Sequence, residues 1–110
     1  MEIYSLNPLI IYLTYTLQIH AYMKKRTTKP EYIGPLLNTL KKLGKTSEET
    51  LYERTYQSIK NQLYPADKVM LPNGELRWRY QMQHMLDGLI EAGKIVKKEG
   101  KIWVNENQQS

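Results

Sequence analysis

Read by its apolar and polar positions, the chain divides into an uncharged opening segment and a helical body that ends in short β-prone runs. From Leu9 the odd positions Ile11, Leu13, Tyr15, Leu17, Ile19, Ala21 and Met23 are all apolar, and Thr14, Thr16, Gln18 and His20 alternate with them. A period of two predicts a strand, and the content of Ile, Thr and Tyr favours it. The helical alternative stays open, because Asn7-Pro8 makes a good cap and first-position pair and Ile10, Leu13 and Leu17 share a helical face. A long strand with one apolar face needs a partner, in this chain or in a second copy.

Residues 24–30 form a basic, threonine-rich linker, and Pro30 marks where a new element can begin. Over 31–43, Ile33, Leu36, Leu37, Leu40 and Leu43 recur at helical spacing, with Lys41 and Lys42 in the last turn and Gly44 as the stop. A second helix opens at Thr46-Ser47-Glu48-Glu49, a capping-box spacing between Thr46 and Glu49, and its stripe of Leu51, Thr55, Ile59 and Leu63 runs to about Tyr64 before Pro65. The stretch 65–75, with two prolines and Asn73-Gly74, is a loop. A third helix is predicted over 76–92 from Trp78, Met82, Met85, Leu86, Leu89 and Ile90, with Gly93 as its stop. Ile95-Val96-Lys97 and Ile102-Trp103-Val104 then flank Lys98-Glu99-Gly100-Lys101 as a hairpin, and the polar stretch 105–110 is expected to fray. No internal repeat is present.

Three helices followed by a basic hairpin is the order of a winged helix-turn-helix. The expected fold class is mainly α with a small β-hairpin (α+β), a winged helix-turn-helix with an added N-terminal segment. The expected organisation is an apolar segment 1–23 serving dimerisation, a basic linker 24–30, the winged-helix domain 31–105 and a polar tail 106–110.

Composition sharpens this picture. A chain of 110 residues is the size of one domain and buries one core without disulfides or metal. The absence of Cys excludes disulfide scaffolds, thiolate zinc sites and cysteine nucleophiles, and suits a cytoplasmic setting. A net charge of +5 favours polyanionic partners. Every Lys and Arg lies at or after Lys24, and Glu2 is the one charged residue before it, so the positive field belongs to the body. The uncharged run from Ile3 to Met23 raises the question of a membrane span, but Asn7, Pro8, Thr14, Thr16, Gln18 and His20 interrupt it; no basic n-region or cleavage site marks a signal peptide. No membrane association is expected.

If Trp78, Met82, Met85 and Leu89 face the core, then Arg77, Tyr80, Gln81, His84 and Asp87 point outward, with Arg79 and Gln83 at the margins. Arg and Gln can contact guanine and adenine edges in the major groove, whereas Lys94, Lys97, Lys98 and Lys101 beside the hairpin would bind phosphates. The plainer alternatives are a solvated helix face and lysines that protect a sheet edge. Trp103 should lie opposite Ile102 and Val104, either as a core anchor, which is favoured, or as an exposed stacking surface. The nine Tyr are many for this length, and Tyr12, Tyr15 and Tyr22 suit a protein contact.

The stretch 32–105 resembles the N-terminal winged-helix domain of Mrr-type restriction endonucleases. The resemblance rests on the short first helix, the acidic capped second helix, Leu71-Pro72-Asn73-Gly74, and Asp87-Gly88-Leu89-Ile90-Glu91-Ala92-Gly93 leading to Gly100-Lys101-Ile102-Trp103-Val104. It implies a DNA-recognising domain that in the family precedes a nuclease. This chain departs from the pattern at His84, where the family usually has an aromatic, and no nuclease domain is expected after it.

Nothing in the sequence makes a catalytic constellation. Glu99-Gly100-Lys101 matches a nuclease acid-x-Lys triplet in letters but falls at the hairpin tip, and the nearest upstream acid after a proline is Asp67. His20 and His84 lack a partner at zinc-site spacing, and no Gly-rich run opens into Lys-Ser or Lys-Thr. The expectation is a non-enzymatic protein without cofactor, a regulator or accessory module that binds double-stranded DNA as a homodimer. The alternatives are a protein-interaction adaptor on the same fold and RNA or ribosome binding, which the same basic charge would allow.

Overall fold

The computed structural model describes residues 7–106, so the expected fraying of 107–110 lies outside the described residues. The body is built from α2 (Ile33–Leu43), α3 (Glu48–Ile59) and α4 (Arg77–Glu91), followed by β1 (Ile95–Lys98) and β2 (Lys101–Val104). The two strands pair antiparallel with Ile95 opposite Val104 and Lys98 opposite Lys101. Their connection is the two-residue turn Glu99-Gly100, with φ of 52° and 77°. Two successive left-handed residues twist the chain in the sense that antiparallel strands need. The chain is a mainly helical winged-helix architecture with a small two-stranded sheet.

The apolar stripes read from the sequence meet in one core. Leu36 and Leu40 of α2, Leu51 and Ile59 of α3, Trp78, Met82, Leu86 and Leu89 of α4, and Ile95 and Ile102 of the hairpin are all buried together with Tyr32 and Leu63. Tyr56 stacks on Trp78 with ring centroids 4.3 Å apart. Gly93, at φ 79°, ends α4: its N–H donates to the Ile90 carbonyl and that of Lys94 to the Leu89 carbonyl. That pairing satisfies carbonyls the helix leaves open, which is why glycine stands there.

Three boundaries differ from expectation. Ser47, not Thr46, caps α3, its hydroxyl accepting from the Thr50 N–H at 3.2 Å. Thr46 is occupied otherwise: its N–H donates to the Ile102 carbonyl and its carbonyl accepts from the Ile102 N–H, at 3.0 and 2.8 Å. This isolated rung ties the hairpin to the helices. The second difference is that α3 ends at Ile59, and Leu63 reaches the core from a following turn rather than from the helix. The third is Asn105, which is not frayed: its N–H and side-chain amide donate to the carbonyls of Lys94 and Gly93.

The opening segment is a helix, α1 (Pro8–Lys24), and the strand reading of it is corrected. Asn7 caps it by accepting from the Leu9 N–H at 2.8 Å. The helix satisfies its backbone groups internally, and the two-stranded sheet of the body takes up no residue of this segment. The period-2 pattern was real but misleading, because α1 buries none of its residues and apolar side chains stand on all its sides. Among the described residues, no helix is long and apolar enough to cross a membrane.

α1 meets the body at its C-terminal end. Tyr22 packs edge-on against Tyr64 with centroids 5.9 Å apart, and Lys25 lies over the same ring. Below it, the fully buried Asp67, in a 3-10 turn over Pro65–Lys68, accepts from the Thr27 N–H, the Thr27 hydroxyl and the Tyr64 N–H at 2.9, 2.7 and 2.8 Å. The next turn is closed by Glu31, whose carboxylate accepts from the Thr28 N–H and hydroxyl; these bonds hold it below the usual carboxylate range. The molecule is accordingly elongated, with a radius of gyration of 19.9 Å, against about 13 Å for a compact domain near this size.

Candidate nucleic-acid interface

α4 presents its core side as the sequence required, but its arginines are not free. Gln83, His84, Asp87 and Glu91 are exposed, and Tyr80 is half-buried with its ring 4.4 Å from that of His84. Arg77, expected to point outward, instead donates from Nε to the Ala66 carbonyl at 3.1 Å. Gln81, expected on the same outward face, is half-buried with its Oε1 sequestered from solvent. The physical reason lies outside the helix: the 65–68 turn packs against α4 and brings the Ala66 carbonyl to Arg77, whose flank Gln81 shares four residues on.

Arg79 and Lys97 are occupied by the start of α3. Arg79 donates from Nη2 to both carboxylate oxygens of Glu49, and its guanidinium lies 5.1 Å from the centroid of the Tyr52 ring. Lys97 Nζ is 2.6 Å from Glu48 Oε2, and this hydrogen bond and charge raise the lysine above its ordinary pKa. Glu48 also accepts from the Tyr52 hydroxyl at 3.2 Å, and burial followed by the Glu48 charge pushes that phenol well up. Carboxylates suit a helix N-terminus, where the backbone N–H groups carry partial positive charge. Here they take up the place and the cations that a phosphate would otherwise use.

What remains open is the outer face of the hairpin. Side chains alternate across the ribbon, so Ile95, Lys97, Ile102 and Val104 share one face while Val96, Lys98, Lys101 and Trp103 share the other. Trp103 therefore lies opposite Ile102 as expected but is not a core anchor; Ile95 and Ile102 fill the core and leave the indole half-buried on the outer surface. Lys45, in the loop before α3, places its Nζ 4.3 Å from the Trp103 ring centroid. Lys98 and Lys101 face each other across the strands beside it. Lys94 lines a neighbouring hollow with Lys41, Leu37, Val104 and Asn105.

Among the described residues, the ion pairs are Arg79–Glu49 and Lys97–Glu48, so Lys41, Lys45, Lys94, Lys98 and Lys101 have no carboxylate at salt-bridge distance. Glu99 at the turn and Glu106 beyond β2 are the acids bordering this face. Lys41 and Lys45 were not among the residues expected from sequence. Their only signal was proximity to Gly44, and it takes the Thr46–Ile102 rung to bring that loop against β2.

The carboxylate and the triplet with nuclease-like letters stand apart in role. Both oxygens of Asp67 accept hydrogen bonds from the chain, and Glu99-Gly100 is the hairpin turn. The described residues contain no cluster of His, Cys, Asp and Glu fit to hold a metal ion. Comparison with protein-family models, with curated proteins and with solved structures finds no match for this chain.

Proposed function

We propose that this chain is a DNA-binding winged-helix module, a regulator or accessory recognition domain whose principal phosphate-binding surface is the outer face of the hairpin. The observation that carries the reading is the set Lys45, Lys98 and Lys101, gathered on one surface with no ion-pair partner among the described residues. Uncompensated lysines at this spacing bind a phosphate backbone by releasing its counterions. Tyr80, Gln83 and His84 are the positions from which α4 can approach base edges, while Arg77 is engaged by the Ala66 carbonyl and Arg79 by Glu49. The likeness of 32–105 to an Mrr-type N-terminal domain agrees with this reading, and an intracellular, DNA-associated setting goes with it.

The module is proposed to act as a homodimer through α1. No charged side chain lies between Pro8 and Met23, so two copies of the helix meet without like-charge repulsion. The row Ile10, Thr14, Gln18 and the row Ile11, Tyr15 border a groove on its surface. Ridges four residues apart are what a second helix of the same kind packs into. A dimer of this type requires a two-fold repeated DNA site.

Duplex binding measured against salt tests the function. The native chain should bind random duplex at about 50 mM salt, and Lys98→Ala with Lys101→Ala should weaken it on every sequence and flatten the log–log salt slope by about 2. Arg77→Ala should leave the slope unchanged. A native protein that ignores duplex DNA under these conditions supports the adaptor reading instead. That reading is favoured by one observation, the acidic later turns of α4, where Asp87 and Glu91 stand exposed on the helix meant to approach DNA.

A further inference from the structure

The geometry points to Trp103 as a stacking platform for an unpaired nucleobase, so that the outer hairpin face takes single-stranded nucleic acid. The inference rests on the nucleic-acid reading above and gives its surface a more specific ligand.

The core is completed without the indole. Ile95 and Ile102 complete the core from the other face of the ribbon, and Trp103 has only Val96 as its cross-strand neighbour on the outer one. Lysines alone suffice to hold duplex phosphates, because the base faces of a duplex are buried in its own stack. A half-exposed aromatic among them adds something only when a base face is free to meet it.

The surroundings fit a strand that stacks one base and passes its phosphates on either side. Trp103 and Lys45 together border two surface hollows. One is completed by Lys98, Lys101 and Glu99, the other by Leu40, Lys41, Gly44, Val104 and Glu106. Cations thus lie on both sides of the ring, continuing past Val104 to Lys94. Lys45 already lies over the indole through a cation–π contact. Its residue is exposed and its side chain is long and unpaired, so a base arriving on the ring can displace the ammonium onto the adjacent phosphate. Each of the two hollows also carries one acid, Glu99 in the first and Glu106 in the second.

Tryptophan emission of the full chain, titrated with oligo-dT, oligo-U and a duplex of equal length, tests the inference. Trp78 is 4% exposed and stacked on Tyr56, so quenching by a stacked base reports on Trp103. The expected result is quenching by an oligonucleotide, with Trp103→Ala lowering single-strand affinity about 5- to 150-fold. Trp103→Phe should recover part of the loss. Duplex affinity should be changed little by either variant, and Lys45→Ala, in an exposed loop, should weaken single-strand binding without disturbing the fold. The oligo-dT and oligo-U arms decide between DNA and RNA.

Absence of single-strand binding, or single-strand binding that is unquenched or equal in Trp103→Ala and the native chain, overturns the inference. If duplex still binds in that case, the DNA-binding reading survives; if nothing binds, both fall. Quenched single-strand binding without duplex binding upholds the platform and removes double-stranded DNA as the partner.

Discussion

Asp67 carries more of the architecture than a loop position suggests. It is fully buried, and the Thr27 N–H and hydroxyl and the Tyr64 N–H all donate to it. Hydrogen bonds to a charged acceptor are stronger than neutral ones, and the part-buried donors that meet Asp67 lose their partner without it. Asp67→Asn replaces one acceptor oxygen by an NH2 group that faces donors. The variant should lose about 3 kcal/mol of stability in urea titration. A loss under about 0.5 kcal/mol would mean that the linker and the turn hold without this residue. Thr27 is where the linker joins the body, so the same change should loosen the base of α1.

Among the elements, α1 and the hairpin owe their forms to opposite causes. The hairpin exists because its turn and its core face agree: Glu99-Gly100 reverse the chain, and Ile95 and Ile102 anchor one face under the helices. α1 satisfies its own backbone and has no buried residue in the chain it belongs to. A helix that is apolar all round is ordinarily covered by other protein. Replacing Ile11 and Tyr15 by Glu places charge on the groove that a second copy would fill. Sedimentation should then show a monomer where the native chain shows a dimer, while the melting of the body stays within about 0.5 kcal/mol. A native chain that sediments as a monomer at micromolar concentration rules out α1 as a dimerisation element.

At the scale of the whole molecule, the net charge of +5 is distributed so that one face is neutralised and another is not. Glu48 and Glu49 at the start of α3 hold Lys97 and Arg79, on the side where α4 and the hairpin meet. The outer hairpin face keeps its lysines without such partners among the described residues. Changing both acids, Glu48→Gln with Glu49→Gln, releases two cations beside α4. Exposed ion pairs contribute little to stability, so the fold should change by less than about 1 kcal/mol. Duplex binding should tighten, and its salt slope should steepen by up to about 2 as two further phosphate contacts become available. Unchanged binding would place the nucleic acid away from α4 altogether.

Much of this molecule follows from residue order alone. Leucines at helical spacing in α2, the Gly44 and Gly93 stops, the stripe from Trp78 to Leu89 and the glycine in the hairpin turn each obey local rules, because a helix period and a turn conformation are properties of a few neighbouring residues. Which polar side chains stay free is not such a property. Arg77 meets a carbonyl eleven residues before it, and Arg79 meets a carboxylate thirty residues before it. Lys45 reaches Trp103 only through the Thr46–Ile102 rung. Helical periodicity told the inner side of α4 from the outer one, but a cation's availability depends on what distant chain brings against it. That required the folded arrangement, as did the form of α1, whose alternating letters fit a strand although the segment pairs with neither strand of the hairpin and satisfies its backbone internally as a helix.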